Sequence, residues 1–404
     1  MRKIDLNNFQ VATSETARDI NSRIMLNLVR KHQPVSRADL MRYSGLQRST
    51  VSVITEQLIS ERWLREGEVG NLPRGRKPTF LHLNDDRAGI FGVNIQPGTT
   101  NLVLANLAGH FLVEETLPTP DDPDQFVAMI SKRIRELMKK HPRIAYEGIG
   151  VSLPGRVDLA SQRFVFAPNL GWRESDLKLR LEEATGLSIE MENAANACAL
   201  SEFWFGSHHE AVRDLVVVTV SEGIGVGMIL NGQIVRGPFG LAGEFGHVPL
   251  NENGPKCRCG NQGCWEVYAS NSAALRYYAE IQAVNGGQAT RNAATVDNIT
   301  FEGLVELAKA GDAKARQSLE RMAHYLGKGA AMLVNGLAPE SIVFIGEVTR
   351  VWDQIGPTVV EMANQRSSTH ATTRITASDP SAHPRVRGII ALVLQRHFGA
   401  PSIA

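Results

Sequence analysis

The stretch from Gly240 to Glu266, GLAGEFGHVPLNENGPKCRCGNQGCWE, constrains this chain more than any other. It carries His247, Cys257, Cys259 and Cys264, one imidazole and three thiols, in a single short segment. Three thiolates and an imidazole are the donor set of a closed, tetrahedral structural zinc site. Gly254, Gly260 and Gly263 let the backbone turn tightly enough for one ion to collect ligands so close in sequence. The competing reading is a disulfide pair. Against it, three of the four cysteines fall between positions 257 and 264, and the start, MRKIDLNNFQ, lacks the apolar middle of a secretory signal. A structural Zn2+ and a cytoplasmic location are the expectation.

At 404 residues, two or three domains are expected. A hydrophobic content of 43% with 21% charged residues is that of a soluble globular protein, and no apolar run nears the 18 or so residues of a membrane span. The net charge of +1 hides an asymmetry. Residues 1–82 hold 14 Lys+Arg against 8 Asp+Glu, or +6, and the remainder carries −5. A basic head on a mildly acidic body suits a nucleic-acid-binding module joined to a ligand-binding one.

In the head, Ile20, Ile24 and Leu28 recur every four residues and predict one face of a helix from Thr16 to His32, ended by Pro34. Ser36 and Asp39 fit a capping box opening a second helix through Tyr43, and Gly45 makes the turn. A third helix from about Gln47 to Glu61 turns Val51, Ile54 and Leu58 inward and presents Arg48, Ser49, Thr50 and Ser52 near its amino end. A short helix, a turn and a helix with polar residues at its start are what a major-groove reader requires. Leu64 to Val69 begins a hairpin whose tip carries Arg74, Arg76 and Lys77, suited to a narrow minor groove.

Beyond residue 88, strands alternate with helices. Strands are expected at 91–95, 102–107, 110–116, 148–153, 215–220, 226–230 and 342–345, and helices at 123–140 and 384–398. Residues 308–327 read as scaffold helix, and Val284 to Asn298 as the least ordered loop. The fold class is α/β. Cys198, on an apolar helix, reads as packing.

Glu244-Phe245-Gly246-His247 followed by Cys-x-Cys-Gly-x-x-Gly-Cys-x-Glu resembles the signature of the ROK family: repressors, open reading frames and kinases of sugars. The head resembles that of its repressor branch, from Ser-Arg-x-x-Leu at Ser36 to Gly-Arg-x-Pro at Gly75. The resemblance implies an N-terminal winged helix-turn-helix over residues 1–82 and a two-lobed actin-like, hexokinase-like body. Lobe 1 would span 88–195 plus a returning C-terminal helix in 383–404, and lobe 2 would span 196–382 with the zinc loop. It also implies sugar contacts from Asn193, Glu244, His247 and Glu266, a Pro154-Gly155 turn behind the sugar, and a further contact near Asn169. His247 would bind metal through its other nitrogen.

The same resemblance tests for kinase chemistry. Family kinases carry a catalytic aspartate in Glu-Asn-Asp-Ala-Asn-Ala; here Ala194 stands at that position, and a methyl group accepts no proton. The first phosphate loop reads Asn94-Ile95-Gln96-Pro97-Gly98, with its acid gone and a proline that donates no amide. The second reads Ser221-Glu222-Gly223-Ile224-Gly225, and the adenosine loop Gly346-Glu347-Val348. The expectation is therefore no enzyme: a sugar-responsive transcriptional regulator, binding double-stranded operator DNA as a homodimer or dimer of dimers and a carbohydrate in its cleft. The alternatives are an ATP-dependent sugar kinase with a regulatory head, and a repressor gated by a protein partner.

Overall fold

The computed structural model describes residues 13–70, 77–158, 163–166, 170–172, 176–206, 212–285, 299–367 and 373–399. The chain opens with α1 (Ser14–His32), β1 (Val35–Ser36), α2 (Arg37–Ser44) and α3 (Arg48–Ser60), then the hairpin β2 (Leu64–Val69) and β3 (Thr79–Leu83). The capping box at the start of α2 forms as the sequence requires. Ser36 Oγ receives the Asp39 N–H, the Asp39 carboxylate receives the Ser36 N–H, and Gly45 ends the helix with φ 71°. Val51, Ile54 and Leu58 of α3 are buried as expected. The three short strands pair antiparallel in the order β1-β3-β2, so helices and hairpin have the element order of a winged helix-turn-helix.

The buried face of α1 differs from the one expected. Met25, Leu26 and Val29 are buried, while Ile24 is 42% exposed and Ile20 and Leu28 are half-buried. The reason is tertiary: α1 is wedged between the head's own elements and the last helix of the body, and that arrangement sets which side is covered.

The body continues with β4 (Ala88–Ile95), β5 (Thr99–Asn106), β6 (Phe111–Pro118), α4 (Pro123–Lys140), β7 (Ala145–Leu153), β8 (Arg156–Asp158), β9 (Arg163–Phe166), α5 (Leu177–Thr185), β10 (Ile189–Asn193) and α6 (Ala194–Phe205). After these come β11 (Leu215–Val220), β12 (Ile224–Leu230), β13 (Gln233–Ile234), α7 (Glu266–Ala269), α8 (Asn271–Asn285), α9 (Phe301–Lys309), α10 (Ala313–Leu337), β14 (Ser341–Ile345), α11 (Trp352–Arg366), β15 (Arg374–Ala377) and α12 (Pro384–Phe398). The scaffold helix expected across 308–327 is two helices, because Gly311 at φ 100° and the Asp312 cap break it. The loop expected to be least ordered lies, from residue 286 on, outside the described residues.

Two five-stranded sheets follow one plan, β6-β5-β4-β7-β10 and β13-β12-β11-β14-β15. In each, the first strand is central, two antiparallel neighbours lie on one side and two parallel strands on the other. The body is thus a duplicated α/β unit. Central strands such as β11, LVVVTV, are buried throughout, as a strand covered on both faces must be. The edge strand β6 alternates half-buried and exposed instead.

Between the sheets run α6 and α12. The first packs on β11 and β12, the second on β4 and β7. The far end of α12 also holds the head. Asn27 donates to the Phe398 carbonyl (2.7 Å), and Arg23 to those of Arg396 (2.9 Å) and Gly399 (3.1 Å), supplying partners for carbonyls at the end of α12. Trp63 lies beneath the Arg87 guanidinium (3.8 Å to the ring centre) and against His397. One apolar core runs from Met25 in α1 through β4 and β5 to Phe398.

Candidate functional site

The Gly240–Glu266 segment folds back onto β12 and α10. Gly243, at φ 99°, opens the single helical turn Glu244–His247, and a Cβ there would stand 2.3 Å from the Val226 carbonyl. Trp265 fixes the other end. Fully buried, it donates from Nε1 to the Tyr325 carbonyl at 2.8 Å and lies so close to α10 that a Cβ on Gly329 would sit 1.8 Å from the indole.

Between these anchors the four expected metal ligands converge. The ligand atoms of His247, Cys257, Cys259 and Cys264 all lie within 4.8 Å of one another. Cys257 Sγ is 3.6 Å from His247 Nδ1, and Cys259 Sγ is 3.7 Å from Cys264 Sγ. A tetrahedron with Zn–S of about 2.3 Å and Zn–N of about 2.0–2.1 Å has S···N edges of about 3.6 Å and S···S edges of about 3.8 Å. The donor set fits such an ion in both chemistry and spacing. Burial pushes the Cys264 thiol up to about 12, and both neighbouring thiols push it the same way. Sulfurs placed like this ionise together only when a cation takes them.

With Nδ1 on the metal side, His247 turns Nε2 toward the cleft, 3.7 Å from Glu244 Oε2. Glu266, first residue of α7, joins the two sides. Its Oε1 lies 3.6 Å from Cys257 Sγ, and its Oε2 accepts the Ile224 N–H at 3.1 Å. Across the cleft, Asn193 ends β10 and caps α6, its Oδ1 accepting the Asn196 N–H at 2.8 Å. The buried Glu192 beside it accepts from the Asn193 N–H (3.0 Å), Asn196 Nδ2 (3.0 Å) and Arg236 Nε (2.7 Å), an ion pair that ties the first sheet to the second half.

Pro154, Gly155, Asn193, Ala194, Glu244, His247 and Glu266, far apart in sequence, line one cavity of about 410 Å³ between the halves. A second cavity of about 360 Å³ adjoins it and shares Thr219, Ser221 and Arg385 as walls. Asn169 lies outside the described residues. Sequence reasoning did not single out Arg385, the second residue of α12, which no local motif marks.

In the head, Arg48 and Ser49 are exposed and Thr50 and Ser52 half-buried at the amino end of α3; Lys77 is exposed, while Arg74 and Arg76 lie outside the described residues. Val53, 58% exposed on the same outward face, was not anticipated, and an apolar group there suits contact with a thymine methyl. Arg37 bonds Glu56 (2.7 Å) and Glu66 (3.0 Å), locking α2, α3 and the hairpin together. No described helix is long and apolar enough to cross a membrane.

Residues 90–396 match the model of the ROK family. The xylose repressor of Caldicellulosiruptor bescii is 30% identical over 96% of this chain and 98% of its own. A solved ROK family transcriptional regulator, a homolog of the Escherichia coli MLC protein, superposes with a TM-score of 0.81 at 26% identity, covering 95% of this chain and 98% of that one. A ROK family glucokinase from Streptomyces griseus, solved with glucose and AMPPNP, matches 76% of this chain and 99% of its own, with a TM-score of 0.66 and 28% identity. The part of this chain left without a counterpart is about the size of the head. With the signature segment, the duplicated body and a family match across most of the sequence, the chain belongs to the ROK family.

Proposed function

We propose that this chain is a sugar-responsive transcriptional repressor whose body recognises a carbohydrate and has lost phosphoryl transfer. The observation that carries the reading is the division of the cleft. Glu244, His247, Glu266 and Asn193 converge on one cavity, and carboxylates and amides are the groups that pair with adjacent hydroxyls. On the same wall Ala194 offers no base, and Glu222 brings a carboxylate where a nucleotide's phosphates would need donors.

A structural zinc, held by His247 Nδ1 and the three cysteines, keeps the segment in shape and leaves Nε2 facing the sugar. The head binds operator DNA through Arg48, Ser49, Thr50 and Ser52 in the major groove, with Arg74, Arg76 and Lys77 at the minor groove. The chain acts as a homodimer or dimer of dimers on paired half-sites. Residues 1–82 form the head, 88–195 with 383–404 the first lobe and 196–382 the second. Closure of the lobes on sugar favours the weakly DNA-binding state.

The test is fluorescence anisotropy of the full-length protein on a duplex selected from a random pool, with and without candidate sugars. The expected result is tight, salt-sensitive binding that one sugar weakens at least tenfold. Binding indifferent to every free sugar would point to a protein partner instead. Turnover of Mg-ATP with any sugar would restore the kinase reading.

A further inference from the structure

The second cavity is the part of the cleft that this reading leaves unused. It adjoins the sugar cavity, sharing Thr219, Ser221 and Arg385 as lining. Its lining includes Asn94, Gln96, Asn101, Glu347, Asp379 and Arg385. Asn94 is 3% exposed. Its Nδ2 donates to Asn101 Oδ1 at 3.4 Å, and its Oδ1 has no hydrogen-bond partner in the protein. A buried acceptor left in that state is costly until water, or a hydroxyl or amide of a bound molecule, meets it. Gln96 reaches the same Asn101 oxygen at 3.4 Å, so a row of amides faces the space.

The charges decide what kind of molecule fits. Glu347 and Asp379 line this cavity and Glu222 stands in the adjoining one, against a single guanidinium, Arg385, that no carboxylate pairs among the described residues. The other arginine of the lining, Arg350, is engaged by Glu302. An excess of carboxylate opposes a phosphate or a nucleotide. Amides, carboxylates and one arginine are instead well suited to a neutral polyol, offering donors and acceptors in near balance. Each cavity lies near the lower end of the 300–1,000 Å³ or so of small-molecule sites, and the two in series give room for more than one ring.

We propose that the effector is a neutral disaccharide or larger glycoside. One ring lies against Glu244, His247 and Glu266, and the next occupies the second cavity against Asn94, Gln96, Asn101 and Arg385. This rests on the sugar-binding reading above and deepens it.

The experiment is isothermal titration of the zinc-loaded full-length protein with xylose, glucose, xylobiose, cellobiose, maltose, melibiose and glucose 6-phosphate. One disaccharide is expected to bind at least tenfold more tightly than its component monosaccharide. Gln96→Trp, filling the second cavity from a half-buried position, should reduce that affinity at least tenfold and leave monosaccharide binding unchanged. Asn101→Phe, also half-buried, is a second variant that keeps the test valid where the first does not fold. Glu244→Gln should weaken both ligands. A monosaccharide that binds as tightly as every disaccharide, disaccharide binding unaffected by both fillers, or glucose 6-phosphate binding best overturns the second-ring proposal while sugar recognition stands. Silence across all seven probes overturns sugar recognition itself and this proposal with it.

Discussion

Two hairpins hold the same place in the duplicated sheets. The β4–β5 hairpin turns through Gln96, Pro97 and Gly98, and the β11–β12 hairpin through Ser221, Glu222 and Gly223. The first is closed by its own backbone, the Gln96 N–H donating to the Thr99 carbonyl at 2.9 Å, and is held from outside by its own sheet's end, where the Thr119 N–H reaches the Gly98 carbonyl at 3.2 Å. The second is closed likewise by Ser221 and Gly223, and is also clamped from outside. Glu266 takes the Ile224 N–H, and the Asn271 N–H reaches the Ser221 carbonyl at 2.9 Å. The first clamp comes from the segment that the cysteine cluster and Trp265 hold in place, and the second from the start of α8 just beyond it. The duplicated frame therefore supplies two equivalent turns, and what differs is the bracing attached to each. The braced turn borders both cavities, through Ser221. The other, less braced and with a proline that donates no amide, reaches only the second cavity, through Gln96.

Breaking the brace should have the largest effect. Cys259→Ser should abolish stoichiometric metal, read by atomic emission, and lower sugar affinity by 100-fold or more, about 2.7 kcal/mol. A metal-free variant with unchanged affinity would contradict the role given to the brace. Gly329→Ala attacks the same segment from behind by driving a methyl into the Trp265 indole. A loss of about 1–3 kcal/mol in denaturant unfolding is expected, with weaker sugar binding in proportion. Glu244→Gln should cost about 1.5–3 kcal/mol of sugar affinity, the worth of a hydrogen bond to a charged group, and leave the melting temperature unchanged.

The junction of head and body sharpens the contrast from outside the cleft. His397, with Arg87, holds the Glu147 carboxyl down at about 2. A carboxyl lowered by folding stabilises the native state fully above its unfolded value, near 4.3, and the gain fades as pH falls toward 2. Glu147→Gln should cost about 1–2 kcal/mol at neutral pH after solvent screening, and the gap in melting temperature from wild type should close between about pH 4.5 and 2. The smallest expected effect is none. Ala194→Asp introduces a carboxylate beside the first cavity, yet on the proposed reading a coupled ADP assay should remain at background, because Pro97 and Glu222 stay in the two turns that would have to cradle a phosphate.

Much of this was legible because its causes are local. The ends of α4 and α12 could be read because each begins on a proline, whose fixed φ suits the first turn and whose missing N–H is not needed there. The metal ligands could be read because four donors so close in sequence leave few alternatives. Features set by distant contacts were not legible. The covered side of α1 depends on α12, more than 350 residues away, and Gly329 matters only because Trp265 arrives from another segment. Arg385 carries no motif and enters the cleft through the return of the last helix. The duplication lies in strand order and direction, which no local sequence pattern announces.

The most direct test is a thermal-shift panel on the zinc-loaded full-length protein with free sugars, sugar phosphates and Mg-ATP. A ligand at 100 times its dissociation constant adds about 2.7 kcal/mol, visible as a raised midpoint. The account predicts a shift with a sugar and none with Mg-ATP at millimolar concentration. A shift with Mg-ATP, or silence with every sugar, would contradict the proposal that the cleft binds a sugar and no nucleotide.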